Sequence, residues 1–224
     1  MHKRLLNSPM RTMKASEADF FFVPFYASAL LLAEGGAQSH KAVTSTHTLL
    51  LKALNRVKND WPHWKKHDGA DHVWAFTFDH GVCLGNSYRF RPHTPPSELR
   101  NSIFIGQYGH INDPTCFRKG RDIVMPQPLR RSFVEEVMPA LQEHRPREHI
   151  YFKGSITASH EHGDTFSKGL RERLYSSFGD KSEFLFRKDT GVGRGRDMVA
   201  AKFCLSLPGF APWSSRLIES VLAG

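Results

Sequence analysis

Apolar positions along this chain fall into short dense runs, separated by longer stretches in which apolar residues return every three or four positions. The first run, "ADFFFVPFY", reads as a β-strand that Pro24 ends. Ala27 to Ala33 followed by "EGG" reads as a helix stopped by glycine. A second helix is expected from His47 to Asn59, with Leu49, Leu50, Leu51, Leu54 and Val57 as its apolar positions. "HVWAFTFD" gives a buried strand ending at Asp79, Ile103 to Ile105 a further short strand, and "DIVMPQP" another, closed by prolines. This alternation is the rhythm of βαβ units.

Between Leu141 and Ile150 the pattern turns polar, "LQEHRPREH", and a domain boundary is expected there, giving units 1–145 and 146–224. The second unit opens with the strand "IYFK". A helix from about Lys168 to Phe178, the strand "EFLF", a helix near Asp197 to Ala201, the strand in "KFCLSLPG" and a helix from Ser214 to Leu222 follow. The predicted class is α/β, with parallel sheets and crossover helices in two Rossmann-like units. The second unit is shorter than a typical doubly wound domain of about 100 to 150 residues.

Composition narrows the possibilities further. Of the 224 residues 40% are hydrophobic and 24% charged, a globular balance. The longest apolar stretch, Ala18 to Ala33, carries Asp19 and Pro24 and is shorter than the roughly 20 residues of a spanning helix. The start, "MHKRLLNSPMRT", has no apolar signal core. A net charge of +9, spread from Arg4 to Arg216, suits an anionic ligand or a solvated basic surface. The aromatic residues lie inside apolar runs rather than among Arg and Lys, which argues against nucleic acid. Cys83, Cys116 and Cys204 are too few for a zinc ribbon; one pair can bridge, with one thiol left over.

Candidate chemistry concentrates near the end of the chain. In "LPGFAPWSSRLIES", Ser214 or Ser215 can cap a helix whose first amides then form an anion site. Arg216 in its first turn can meet a phosphate, and Glu219, three residues on, shares the face and can accept two hydroxyl hydrogen bonds. A plain capping box is the alternative reading of Glu219. "YFKGS" places Lys153 and Gly154 at the carboxyl end of a strand, where ligands of open α/β sheets bind. Arg171 begins the helix after "SKG" and is the third cation expected at this pocket. "GVGRGRD" lacks the spacing of a dinucleotide fingerprint and reads as a flexible basic loop. In the first unit Asp79 or His80, at a strand end, can act as a general base. His63, His67, His72 and His80 match no zinc spacing, there is no Asp-x-Asp triplet, and neither a P-loop nor a GxSxG elbow is present.

Five blocks, "SPMRTMKASEADFFFVPFYAS", "GADHVWAFTFDHG", "GRDIVMPQP", "YFKGS" with "SKGLRERL", and "DMVAAKFCLSLPGFAPWSSRLIESVLAG", resemble in order and spacing the exostosin-like glycosyltransferases. The resemblance implies a GT-B-like fold and an inverting transfer of sugar from a nucleotide-sugar donor, UDP- or GDP-linked, to a glycan such as a cell-wall or proteoglycan polysaccharide. It implies Golgi-lumenal residence, no metal and no separate cofactor. It assigns Arg171 and Arg216 to the diphosphate, Glu219 to the ribose, Lys153 with Ser214 and Ser215 to the same donor pocket, and Asp79 as the candidate base. By the same comparison the chain is expected to be partial, with an amino-terminal anchor and the last strands of the donor domain lying outside it. The alternative expectation is a catalytically inactive glycan-binding or scaffold subunit that partners an active transferase.

Overall fold

The computed structural model describes residues 2–36, 39–77, 81–83, 94–107, 109, 113–125, 129–143, 149–156, 166–188, 193–209 and 213–224. The chain divides into two compact units, Met1–Pro126 and Gln127–Gly224.

In the first unit the described elements are α1 (His2–Leu6), β1 (Phe21–Val23), α2 (Ala27–Ala33), α3 (His40–Asp60), α4 (His63–His67), β2 (His72–Ala75), β3 (Ile103–Gly106) and β4 (Ile123–Val124). The sheet runs β1-β2-β3-β4 and every pairing is parallel, as the alternating pattern predicts. Helix α3 begins seven residues before the expected His47 because Ser39 caps it, its hydroxyl accepting from the Ala42 amide at 3.2 Å. Its buried stripe, Ala42, Val43, Thr46, Leu50, Leu54 and Val57, repeats every three or four residues. Leu50, Leu54 and Val57 join Phe25, Trp64, Trp74, Phe76, Leu99 and Phe104 in one core. The strand expected to reach Asp79 ends at Ala75, although the Phe76 amide still donates to Ile105 O at 2.8 Å. Asp79 and His80 lie outside the described residues.

Cys83 and Cys116 form a disulfide, with Cα atoms 5.3 Å apart, and Cys204 stands outside it. Among the described residues, the group with ligand atoms close enough for a metal is Cys83, Asp113 and Cys116, and its two sulfurs are joined to each other.

The second unit contains α5 (Arg131–Ala140), β5 (Ile150–Lys153), a 3-10 turn (Phe166–Gly169), α6 (Leu170–Phe178), β6 (Phe184–Arg187), α7 (Arg194–Ala200), β7 (Phe203–Cys204) and α8 (Arg216–Ala223). Its sheet is parallel in the order β6-β5-β7, so the central strand is β5. Alternation sends Tyr151 to a core with Phe133, Val137, Met198, Val199 and Ala223, and Phe152 to a separate core with Ile156 and Leu207. The observed division between the units, at 126/127, precedes the expected 145/146. The reason is α5, whose Phe133 and Val137 pack on Met198 and Val199 of α7 and so belong to the second core.

Candidate functional site

The carboxyl end of β5 meets the start of α8. There Arg216 is held on four sides: its Nε donates to Lys153 O at 3.0 Å, its Nη1 to Ser214 Oγ at 2.8 Å, and its guanidinium lies 5.1 Å from the Phe152 ring centre. The fourth side is Gly154, where a Cβ would lie 3.3 Å from the guanidinium carbon and closer still to Nη2. The glycine thus makes room for an arginine of the same chain rather than directly for a ligand. Ser214 Oγ also accepts from the Arg216 amide at 3.3 Å, whereas the Ser215 side chain makes no capping bond.

Arg171 reaches the same ring, 5.0 Å from Phe152 and 4.8 Å from Phe166. It is only 4% exposed. Its Nη1 donates to Ser155 O and its Nη2 to Leu207 O, both at 2.9 Å, tying the loop after β5 to the loop after β7. Among the described residues its Nε has no hydrogen-bond partner. Burial, and then the neighbouring Arg216 cation, push the Arg171 guanidinium down to about 10. Burial also lowers Arg216, with Arg194 adding repulsion and Glu219 opposing it. Two cations crowded on one apolar ring, each discouraged by burial, would be relieved by an anion.

Lys153 is buried, with 3% of its surface exposed, at the end of β5. It lines a small cleft together with Tyr151, Arg194, Cys204 and Arg216. Burial, and then Asp197, hold the Tyr151 phenol well above its ordinary value, and the hydroxyl donates to Asp197 Oδ2 at 3.3 Å.

Among the described residues Glu219 makes no bond back to a backbone amide. Its two oxygens take the Arg194 Nη1 at 3.1 and 3.4 Å in a pair whose carboxylate side chain is 6% exposed. Arg194, within the segment read as a flexible loop, opens α7, and the flanking Gly193 and Gly195 amides donate to the Glu136 carboxylate at 3.3 and 2.9 Å. Sequence reasoning passed over Arg194 and Glu136 because their partners are 25 and 57 or more residues away. Lys153, Arg171, Ser214, Arg216 and Glu219 thus come together in the second unit, and Ser215 sits beside them without a side-chain bond to the group. Asp79 lies outside the described residues.

A parallel α/β unit with cations at a strand end and a helix start has the build of a Rossmann-like ligand-binding half. The sequence pattern described as "Exostosin GT47 domain" matches residues 1–224, and the chain belongs to this glycosyltransferase family. It is similar to a probable glucuronoxylan glucuronosyltransferase of Arabidopsis thaliana, 28% identical over 227 residues covering 100% of this chain and 48% of that protein. It is likewise 28% identical over 232 residues to the probable beta-1,4-xylosyltransferase IRX10L of Arabidopsis thaliana, covering 100% of this chain and 53% of the relative. The probable glucuronosyltransferase GUT1 of Oryza sativa subsp. japonica is 28% identical over 229 residues, with 100% and 53% covered. The chain spans about half the length of these curated relatives.

Proposed function

We propose that this chain forms part of an inverting glycosyltransferase that moves a sugar from a UDP- or GDP-linked donor to a cell-wall glycan. The observation carrying this reading is the pairing of Arg171 and Arg216 on Phe152, at the carboxyl end of β5 and the start of α8. Arg216, with Lys153, meets the diphosphate; the Arg216 and Leu217 amides at the start of α8 are already bonded to Ser214 and are not free to join them. Arg171, buried, braces the two loops and adds its field. Glu219 takes the ribose hydroxyls. The leaving diphosphate is thereby stabilised by fixed protein cations, with no metal required. Asp79 removes the proton from the acceptor hydroxyl as that oxygen attacks the anomeric carbon opposite the departing nucleotide, which inverts the centre.

The names of the relatives, a glucuronoxylan glucuronosyltransferase and a xylosyltransferase, support a xylan-type acceptor. The disulfide fits an oxidising compartment, in keeping with the Golgi lumen. Among the described residues no helix is long and apolar enough to cross a membrane.

The test is the melting temperature of the protein and of Arg216→Ala with UDP, GDP and a mononucleotide control. A nucleoside diphosphate that raises the wild-type melting point, and does so at least about tenfold less potently with Arg216→Ala, supports the donor site. If no nucleotide shifts the wild-type protein, the donor reading fails and a glycan-binding subunit takes its place.

A further inference from the structure

We infer that Arg194 is a positioning residue for the donor, fixing Glu219 so that its remaining lone pairs face the ribose. The inference rests on the donor reading above. Glu219 is only 4% exposed and stands in the first turn of α8, one turn after Arg216. A carboxylate so buried needs a partner to stay ionised and oriented. That partner is Arg194 and not Arg216, whose donors go to Lys153 O and Ser214 Oγ.

The contact occupies only part of the carboxylate. One nitrogen, Nη1, serves both Glu219 oxygens at 3.1 and 3.4 Å, while a carboxylate offers about four lone-pair sites. Among the described residues no second donor reaches the carboxylate, so sites for two hydroxyl donors remain, which is what a vicinal diol presents. The arginine is itself fixed from outside the cleft, since the amides on either side of it are both bonded to Glu136 of α5. Gly195 allows this approach: a Cβ there would stand 2.9 Å from both Glu136 Cβ and Val137 Cγ2. The chain of support therefore runs from α5 through the first turn of α7 to the carboxylate on α8.

Such a role is read by the discrimination between ribose and deoxyribose. Binding of UDP and GDP, their 2′-deoxy counterparts and inorganic pyrophosphate is measured by calorimetry for the wild-type chain, Arg194→Ala and Arg194→Lys. The wild type is expected to prefer the ribonucleotide by about tenfold or more, the usual effect of a hydrogen bond to a charged group. In Arg194→Ala that preference falls to within about twofold of unity, while pyrophosphate affinity changes by less than about fivefold, the range of a partly exposed charge. Arg194→Lys recovers part of the preference.

An Arg194→Ala protein that keeps the full ribose preference overturns the inference and leaves the donor site standing. An Arg194→Ala protein that loses pyrophosphate along with the nucleotide overturns it in favour of direct phosphate binding or collapse of the cleft. A wild-type chain that binds neither nucleotide defeats the donor reading itself and the inference with it; one that binds both without preference overturns the inference and leaves the diphosphate site standing.

Discussion

Replacing Arg171 by lysine keeps a positive charge in the second unit but removes the fork that spans two loops. A lysine presents a single nitrogen on a flexible stem and cannot bond Ser155 O and Leu207 O together. Ser155 is exposed, so its carbonyl can recover water; Leu207 is buried at 8%, so a carbonyl stranded there costs about 1–3 kcal/mol. Loss of the flat guanidinium between Phe152 and Phe166 adds about 0.5–1 kcal/mol. The expected destabilisation is the sum, about 1.5–4 kcal/mol. Urea unfolding followed by far-ultraviolet circular dichroism reads it: at a slope of about 2 kcal/mol per molar, the midpoint falls by about 0.8–2 M. A midpoint that moves by less than about 0.3 M would refute the view that Arg171 braces these loops.

Three further outcomes follow from the same contacts. Gly154→Ala puts a side chain at a backbone φ of +155° and against the Arg216 guanidinium, so nucleotide affinity should fall by about tenfold and stability by about 1–3 kcal/mol; unaltered affinity would separate Arg216 from the ligand. Joining Cys83 to Cys116, 33 residues apart, removes about 4 kcal/mol of chain entropy from the unfolded state, so the Cys83→Ala/Cys116→Ala protein should unfold at correspondingly lower urea. Burial holds the His72 imidazole below its ordinary value of 6.5, only partly offset by Asp71 at 2.7 Å. The unfolded chain therefore binds a proton that the native His72 refuses, so this contribution to stability is complete above about pH 6.5 and is lost as the pH falls below it. His72→Asn should flatten the acid limb of stability against pH by up to about 1.4 kcal/mol per pH unit, and an unchanged slope would rule His72 out as its source.

The apolar pattern by itself determined the class of this protein. Period-two and period-three-to-four runs are local, so α2 was readable to the residue and both sheets could be expected to be parallel. The placement of Arg216 and Glu219 on one helix face was equally legible, because a single helix relates them. Pairings between distant segments were not. Nothing in the run "GVGRGRD" announces that Arg194 meets a carboxylate 25 residues on, or that Glu136 fills the amides around it. The partner of Cys83, the arginine against Gly154 and the attachment of α5 to the second unit also depend on which faces pack together. Local periodicity records which side of an element is apolar; only the tertiary structure decides what that side meets, and thereby which cations end up beside which carboxylate.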